Sequence, residues 1–463
     1  MKVKSIPSSW ISRDGLRLDC NPYMSGALEA RIRLEELPYP KDTLVSLCSN
    51  GIDGVYHAGR ESRSWVEDPV LGIPFLSSSS ILQADLSGLP LISKKQVKKN
   101  PKFLLRKGWT LITRSGTIGR MVYSRPDMDG LACSEHVMRV VPDETKIPPG
   151  YLYAFLSSKF GVPLVTSGTY GSIIQSIEPE HIAGLPVPRL GGEVEDDASH
   201  LVELASRNRS EAVRLLKQAI DFAMQILGPI KEEPSNGIPL AAIKSSNLQA
   251  RLDAFYYSPI CHEARRSFDT ANGCEHRRLS EVAEVFIPGI FKRRYADNPS
   301  YGVPYITGGD VFQITASSDR FLMKRVADDH ALQVKHGTIL VQEAGQLGGL
   351  IGRSVFVGAR LDGFAVSNNM VRVTSKDPRD AGYLYGLFST PQGVILLSRE
   401  AAGSSIPHME AGRLNAISIP WPPEELRHKI SRIVENATDL QDQASKAEEE
   451  ARSLVERAIE ETS

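Results

Sequence analysis

The strongest constraint on this 463-residue chain is that it repeats itself. Arg17-Leu18-Asp19 with Glu29-Ala30-Arg31 returns as Arg251-Leu252-Asp253 with Glu263-Ala264-Arg265, at an offset of 234 for both pieces. The echoes continue in the same order. Gly72-Ile-Pro-Phe-Leu76 matches Gly302-Val-Pro-Tyr-Ile306, and Ser115-Gly-Thr-Ile-Gly119 matches Ala344-Gly-Gln-Leu-Gly348. Val137-Met-Arg-Val140 matches Met370-Val-Arg-Val373, Gly150-Tyr-Leu-Tyr153 matches Gly382-Tyr-Leu-Tyr385, and Leu185-Pro-Val-Pro188 matches Ile417-Ser-Ile-Pro420. A period this long is far beyond a solenoid repeat and points to two copies of a whole domain. Such a chain is expected to do one job at two places.

Bulk properties narrow the class. The length suits two globular units with connectors better than a single core. Hydrophobic content of 41% and a mean hydropathy of −0.20 are ordinary for a water-soluble chain, and no window nears the roughly 18 apolar residues of a membrane span. The opening Met-Lys-Val-Lys-Ser-Ile-Pro has no apolar run, so no signal peptide is expected. Five scattered cysteines (Cys20, Cys48, Cys133, Cys261, Cys274), none in a C-x-x-C pair, suggest neither a zinc site nor a disulfide framework and fit a reducing cytoplasm. The net charge of −1 hides an asymmetry: residues 1–190 carry 23 Lys and Arg against 18 acids, and 236–420 carry 20 against 17. The segments after each are acidic, with 5 basic residues against 9 acids over 191–235 and 6 against 11 over 421–463. The repeated units are mildly basic, which permits nucleic-acid binding without proving it.

Each copy reads as mixed and strand-rich. Short apolar or β-branched runs at 109–113, 137–141, 339–342 and 370–374 are bounded by Gly, Pro, Asp and Ser. Residues 151–158 and 383–390 read as short helices, and each copy closes on an apolar strand containing proline. The pattern then turns helical. From about 197 to 227 the apolar seam is Ala212, Leu216, Ala219, Ala223 and Ile226, ended by Gly228-Pro229. From about 423 to 462 it is Ile430, Ile433, Ala437, Leu440, Ala444, Ala447, Ala451, Leu454 and Ala458, a 3-4 alternation of coiled-coil type. Helices of about 30 and 40 residues would be roughly 45 and 60 Å long. Their alanine-rich seams suit close pairing with each other, and an antiparallel pair would give the chain an internal pseudo-twofold axis. Separate packing, on their own domains or on another chain, is the alternative.

This order resembles the specificity subunit of type I restriction-modification enzymes: recognition domain, long helix, recognition domain, long helix. Gly302-Val-Pro-Tyr-Ile306-Thr307-Gly-Gly-Asp310-Val311, Lys107-Gly108 with Arg114-Ser-Gly-Thr-Ile-Gly119-Arg120, Gly150-Tyr-Leu-Tyr153, Gly171-Ser172 and Leu185-Pro-Val-Pro188 are similar to that family's motifs. The likeness runs from about residue 15 to 460. There are departures: Ser77–Ser80 stand where the second copy has Thr307–Asp310, Trp109 where the family usually has Asp, and Glu343-Ala-Gly-Gln346 where Ser-Gly-Thr is commoner. The resemblance implies an α+β fold with two strand-rich target-recognition domains in tandem, at 1–190 and 241–420. Long helices at 191–228 and 421–463 pair as an antiparallel coiled coil, and 229–240 is a linker. It also implies a non-catalytic reader of a bipartite target in double-stranded DNA. That reader docks methyltransferase subunits, two of them, and a motor-nuclease subunit. S-adenosylmethionine, ATP and magnesium would belong to those partners, with no cofactor or metal in this chain.

For DNA contacts the residues offer several candidates, each with a plainer reading beside it. Arg114, Ser115, Thr117 and Arg120 surround a glycine-rich turn, where arginine suits guanine O6 and N7 and hydroxyls suit phosphate. The second copy supplies Gln342, Gln346 and Arg353 there, with Thr307 nearby, and glutamine suits adenine. The plainer reading is a hairpin turn with solvated side chains. Lys94, Lys95, Lys98 and Lys99, and Lys292, Arg293 and Arg294, are the densest basic clusters, either facing phosphate or merely solvated. Tyr170, Ser172, Ser404 and Ser405 sit in glycine-containing stretches that could meet DNA or simply turn the chain. The identical Arg-Leu-Asp triplets are expected to be structural, as an ion pair or helix start, because a base-reading residue is free to differ between copies.

Catalytic signatures are missing. There is no Asn/Asp-Pro-Pro-Tyr/Phe, no P-loop and no Gly-x-Gly-x-x-Gly, and the histidines are dispersed. Pro142-Asp143-Glu144-Thr145-Lys146 resembles a nuclease motif only superficially, because its acids are adjacent, and is expected to be a surface loop. A recognition subunit of another defence or modification system on the same scaffold, or a nuclease with an unrecognised site, stand as the alternatives.

Overall fold

The structure, a computed structural model, describes residues 3–13, 21–167, 176–230, 243–245, 248, 251–271, 273–403 and 405–461. The chain divides into two compact units: residues 1–210 with 443–463, and residues 211–442. The Arg17-Leu18-Asp19 triplet lies outside the described residues. Its partner shows the expected ion pair: Arg251 Nε and Nη2 reach the Asp253 carboxylate at 2.7 and 2.6 Å.

The central sheet has the same strand order in both units. In the first unit an antiparallel sheet runs Val55–Tyr56, Val137–Val140, Thr110–Thr113, Met121–Tyr123. In the second it runs Ala283–Phe286, Met370–Ser375, Ile339–Gln342, Ser354–Phe356. Register agrees as well: Leu111 lies opposite Arg139, and Leu340 opposite Arg372. A second group of strands contains one parallel pair in each unit, Phe75 beside Ala132 and Tyr305 beside Ala365. Each unit also pairs an early strand with its closing strand, Lys41–Thr43 with Pro186–Pro188 and Glu275–Arg278 with Ser418–Trp421.

Side-chain alternation explains why the central strands read as continuous apolar runs. Ile112 faces the core that holds the short helix and long helices, while its neighbour Leu111 faces a second cluster with Leu76, Ile81 and Val137. Ile339 and Val341 against Leu340 repeat this division. Both faces are covered, so no polar alternation appears.

An arginine sits in the middle of each central sheet. Arg139 donates to the carbonyls of Ser134, Val137, Cys133 and Phe103, and Arg372 to those of Ser367, Met370, Val366 and Leu332. In each unit three of these carbonyls lie on the segment that leads into the central strand and one on a neighbouring turn, and the guanidinium's fan of donors satisfies them. Burial lowers the Arg372 pKa to about 10.

The Gly-Tyr-Leu-Tyr motifs open the short helices Pro149–Leu156 and Ala381–Phe388. A Cβ on Gly150 would lie 2.7 Å from Ser199 Cα, and one on Gly382 would lie 2.6 Å from Ser431 Cα. The short helix thus packs backbone to backbone on the long helix that follows its own copy. The serines serve as caps: Ser199 Oγ accepts from Gly150 N at 3.2 Å and Ser431 Oγ from Tyr383 N at 2.9 Å. The next tyrosine hydroxyl, Tyr151 or Tyr383, donates to the carbonyl of the closing proline, Pro188 or Pro420.

The long helices span Gly192–Leu227 and Glu424–Glu460. In the first unit the beginning of the first helix packs with the end of the second: Ala205 with Ala444 and Ala447, and Ala198 and Val202 in one core with Ala451, Val455 and Ile459. In the second unit the end of the first helix packs with the beginning of the second, Ala219 and Leu227 sharing a core with Ile430 and Val434. That order makes the pair antiparallel. Of the expected seam, Ala212, Ala219, Ala223, Ile430, Ala437, Ala444, Ala447 and Ala451 are buried. Leu216, Ile226, Ile433, Leu440, Leu454 and Ala458 are half-buried. Among the described residues no helix is long and apolar enough to cross a membrane.

A buried ion pair interrupts this seam. Arg209 grips Glu448 with both terminal nitrogens, the second bond at 3.0 Å, and both side chains are almost fully buried. Burial opposes the Arg209 charge, but Glu448 overcomes it and holds the Arg209 pKa up. Arg209→Met should destabilise the protein by about 3–5 kcal/mol, because Glu448 is left buried without its main partner. Replacing both residues by methionine should recover most of the loss in chemical denaturation. Gly382→Ala should cost about 1–3 kcal/mol by overpacking, read the same way, since the obstacle is backbone that no rotamer change removes.

Candidate nucleic-acid interface

In each unit four chain segments converge where strands of both sheets end. In the first these are 77–80, 114–120, 134–136 and 176–178. Ser134 N donates to Leu76 O at 2.9 Å, Arg114 N to His136 O at 2.9 Å, and Ile177 N to Arg114 O at 3.0 Å. The second unit repeats the weave: Ser367 N to Ile306 O at 3.1 Å, Glu343 N to Asn369 O at 2.9 Å, and Met409 N to Glu343 O at 3.2 Å. Arg114 and Glu343 therefore occupy one position, as do His136 and Asn369.

Arg114 is not available to a base. It is 2% exposed, its Nε donates to Ile177 O at 2.8 Å, its Nη1 to Glu135 O at 3.3 Å, and its Nη2 pairs with Glu178. The guanidinium that the sequence offers to guanine is committed to holding the returning segment. Glu343 does the same work with opposite charge: it is buried and bonds His408 Nδ1 at 3.0 Å. Beside Arg114, His57 Nε2 lies 3.4 Å from Glu178. Burial, helped by the Arg114 charge, lowers the His57 pKa.

The other candidates separate by exposure. Thr117 and Arg120 are exposed at the tip of the first turn, where Gly119 takes a φ of +81°. Ser115 is half-buried with its hydroxyl 2.6 Å from His136 Nδ1. In the second unit Gln346 is exposed, Arg353 half-buried, and Gln342 buried with Nε2 donating to Ala344 O at 2.8 Å. Gln342 is thereby withdrawn from any adenine. Thr307 closes a short turn by bonding Asp310. Lys94, Lys95, Lys98 and Lys99 line the exposed face of the helix Lys94–Lys99, and Lys292, Arg293, Arg294 and Ser405 are exposed. Tyr170, Ser172 and Ser404 lie outside the described residues.

Sequence reading missed one repeated feature. Arg63 stacks over Phe75 with its Cζ 5.1 Å from the ring centroid, and Trp65, 50% exposed, meets the same ring edge-on at 5.2 Å. In the second unit Arg293 lies over Tyr305 at 6.0 Å and donates to its hydroxyl at 2.9 Å, with Tyr295, 43% exposed, edge-on at 6.0 Å. The aligned Phe75 and Tyr305 were the available signal. Their partners lie in loops whose sequences differ between the copies.

The nuclease-like stretch is a turn: Asp143 accepts from Thr145 N and Oγ1 at 3.1 and 2.7 Å and pairs with Lys146 at 3.1 Å. Asp377, Asp380 and His428 come within 4.8 Å of one another, but Arg379 and Arg427 already pair with the two carboxylates.

Comparison with known proteins adds three observations. Residues 272–451 match the family model of the type I restriction modification DNA specificity domain. The type I restriction enzyme MjaIX specificity subunit of Methanocaldococcus jannaschii is 23% identical over 178 residues, which span 37% of this chain and 40% of that protein. Among solved structures, the type I restriction-modification system S subunit from M. genitalium is similar at 13% identity, covering 92% of this chain and 96% of that one, with a TM-score of 0.41. The HsdS subunit from Thermoanaerobacter tengcongensis is similar at 14% identity, covering 91% and 97%, with a TM-score of 0.27.

Arg114 gives a test of frame against reading. Arg114→Met should lower stability by about 3–5 kcal/mol in chemical denaturation, through the broken pair with Glu178 and the orphaned carbonyls. Thr117→Ala should change it by less than about 0.5 kcal/mol. An Arg114→Met protein as stable as the parent would return this side chain to the list of DNA readers.

Proposed function

We propose, from the match of residues 272–451 to the family model of the type I restriction modification DNA specificity domain, that this chain is the sequence-reading subunit of a type I restriction-modification system. The observation that carries the reading is the pairing of that family match with a first copy of the same sheet register. Two copies of one domain are expected to read two half-targets in double-stranded DNA. We assign target recognition to residues 1–190 and 241–420, and the separation of the halves to the long helices at 191–228 and 421–463, joined through 229–240.

The chemistry of the two convergent rims supports this division of labour. Their frames are equivalent, while the groups at their rims differ: exposed Thr117 and Arg120 with half-buried His136 in one, exposed Gln346 with half-buried Asn369 in the other. Side-chain amides, guanidinium and imidazole are the groups that discriminate base edges in the major groove.

Methyl transfer and cleavage are assigned to partners. Two methyltransferase subunits would dock on this chain, with a motor-nuclease subunit joining them. S-adenosylmethionine, ATP and magnesium would be bound by those subunits, and the chain itself would act in the cytoplasm without a catalytic step.

Deleting the gene and mapping N6-methyladenine across the genome tests the reading directly. Methylation at one split motif should disappear, and an unchanged methylome would reject the assignment in that host. Replacing residues 72–188 by a recognition domain of other specificity should change one half of the motif and leave the other. A change in both halves would show that the copies do not read independently.

A further inference from the structure

Each unit carries one basic patch in an equivalent place, but its charge comes from different elements. The patch is made by a short helix and the loop that precedes the edge strand. In the first unit Ser64 N donates to Gln96 Oε1, Gln96 Nε2 to Ser62 O and Asn100 Nδ2 to Ala58 O, each at 2.8 Å, which binds the loop to the helix Lys94–Lys99. In the second unit Arg294 O accepts from Met323 N at 2.9 Å, and the Phe291 and His330 rings lie 5.4 Å apart, joining the loop to the helix Lys324–Asp329.

The first helix holds four exposed lysines and no acid. Its counterpart holds Lys324 and Arg325 against Asp328 and Asp329, with Arg325 paired to Asp329 at 3.6 Å, so its charge cancels. The loops show the reverse. In the second unit Lys292, Arg293 and Arg294 are exposed, and Asp297 is the one acid near them in sequence. In the first unit Arg60 stands beside Glu61, and Arg63 is neutralised by Glu135, Nη2 to Oε2 at 2.5 Å. Arg293 sits on its aromatic ring as Arg63 does, but pairs with no carboxylate among the described residues; the position matching Glu135 is Asn368. Positive charge is thus kept at the patch while the residues that carry it change.

We propose that this helix–loop patch is where each unit grips the phosphodiester backbone of the duplex, through the helix lysines in the first unit and the loop cations in the second, with Glu135 holding Arg63 out of that contact. The proposal rests on the DNA-reading function above. A phosphate chain demands charge at a place and is indifferent to which side chain supplies it. Base reading would instead demand a particular donor and acceptor pattern at a fixed position. The aromatic ring under Arg293 fixes the guanidinium at the surface, so little side-chain freedom is lost on contact.

The test is the salt dependence of binding by the full chain to a random-sequence duplex of about 30 base pairs, titrated between about 50 and 200 mM salt. The parent should show a linear fall of log affinity with log salt. The variant Lys94→Gln, Lys95→Gln, Lys98→Gln, Lys99→Gln and the variant Lys292→Gln, Arg293→Gln, Arg294→Gln should each reduce that slope by about 2–3, since each phosphate contact contributes about 0.9. Lys324→Gln with Arg325→Gln should leave it unchanged, and Glu135→Gln should raise it by about 1 by releasing Arg63. Thermal melting of each variant separates loss of contact from loss of fold. Binding by the parent with unchanged slopes in both cluster variants overturns the inference alone, as does an equal loss from Lys324→Gln with Arg325→Gln. A parent that binds no duplex at any salt overturns the DNA-reading function itself.

Discussion

The short helix of each unit lies so close to the following long helix that no side chain fits between them, and the rest of the unit is hung from that contact. Gly150 on Ser199 and Gly382 on Ser431 bring main chain against main chain. The serine hydroxyls then supply the acceptor that the first amides of a helix lack. One residue on, a tyrosine crosses the core to hold the closing strand by its proline carbonyl, and burial keeps both phenols un-ionised by pushing their pKa values well up. Closing strand, short helix and long helix form one corner. The central sheet packs on that corner through the same apolar core, which ties the position of the rim to the long helix.

Much of this frame was legible in the sequence because it is dictated by local chemistry that recurs. Glycine at a close approach, a β-branched strand buried on both faces and an alanine seam leave the same mark wherever they occur. The long helices end within a few residues of where Gly228-Pro229 and the loss of 3-4 spacing put them. The first half of the first helix was less legible. Its buried stripe begins at Ala198 and runs through Val202 and Ala205, but the next seam position is Arg209, which an apolar pattern search rejects. Only the partner helix, 239 residues away, shows why an arginine is tolerated there: Glu448 meets it.

The rim was harder still. Arg114, Gln342 and Glu343 look exposed to a reader of sequence because they flank glycines in a turn. Whether such a residue points out or in depends on the segment that returns beside it, Ser176–Glu178 in one unit and His408–Glu410 in the other, and that pairing is remote in sequence. An arginine and a glutamate can then exchange places between copies provided the partner changes too, glutamate in the first case and histidine in the second. Difference between copies invites a DNA-reading interpretation, yet here it is satisfied inside the fold.

Two arginines illustrate the rule that replaces it. Arg139 and Arg372 are identical, buried and bonded to carbonyls at the same four places, so they belong to the frame. Arg114 became Glu343 and also belongs to the frame, because its difference is compensated internally. Under the proposed DNA-reading function, a rim position reports on DNA only where the copies differ and nothing within the unit compensates. His136 against Asn369 and Thr117 against Gln346 meet the condition of difference with side chains at least partly open to solvent. Exposure and compensation, read together from the fold, therefore narrow the specificity question further than variation alone.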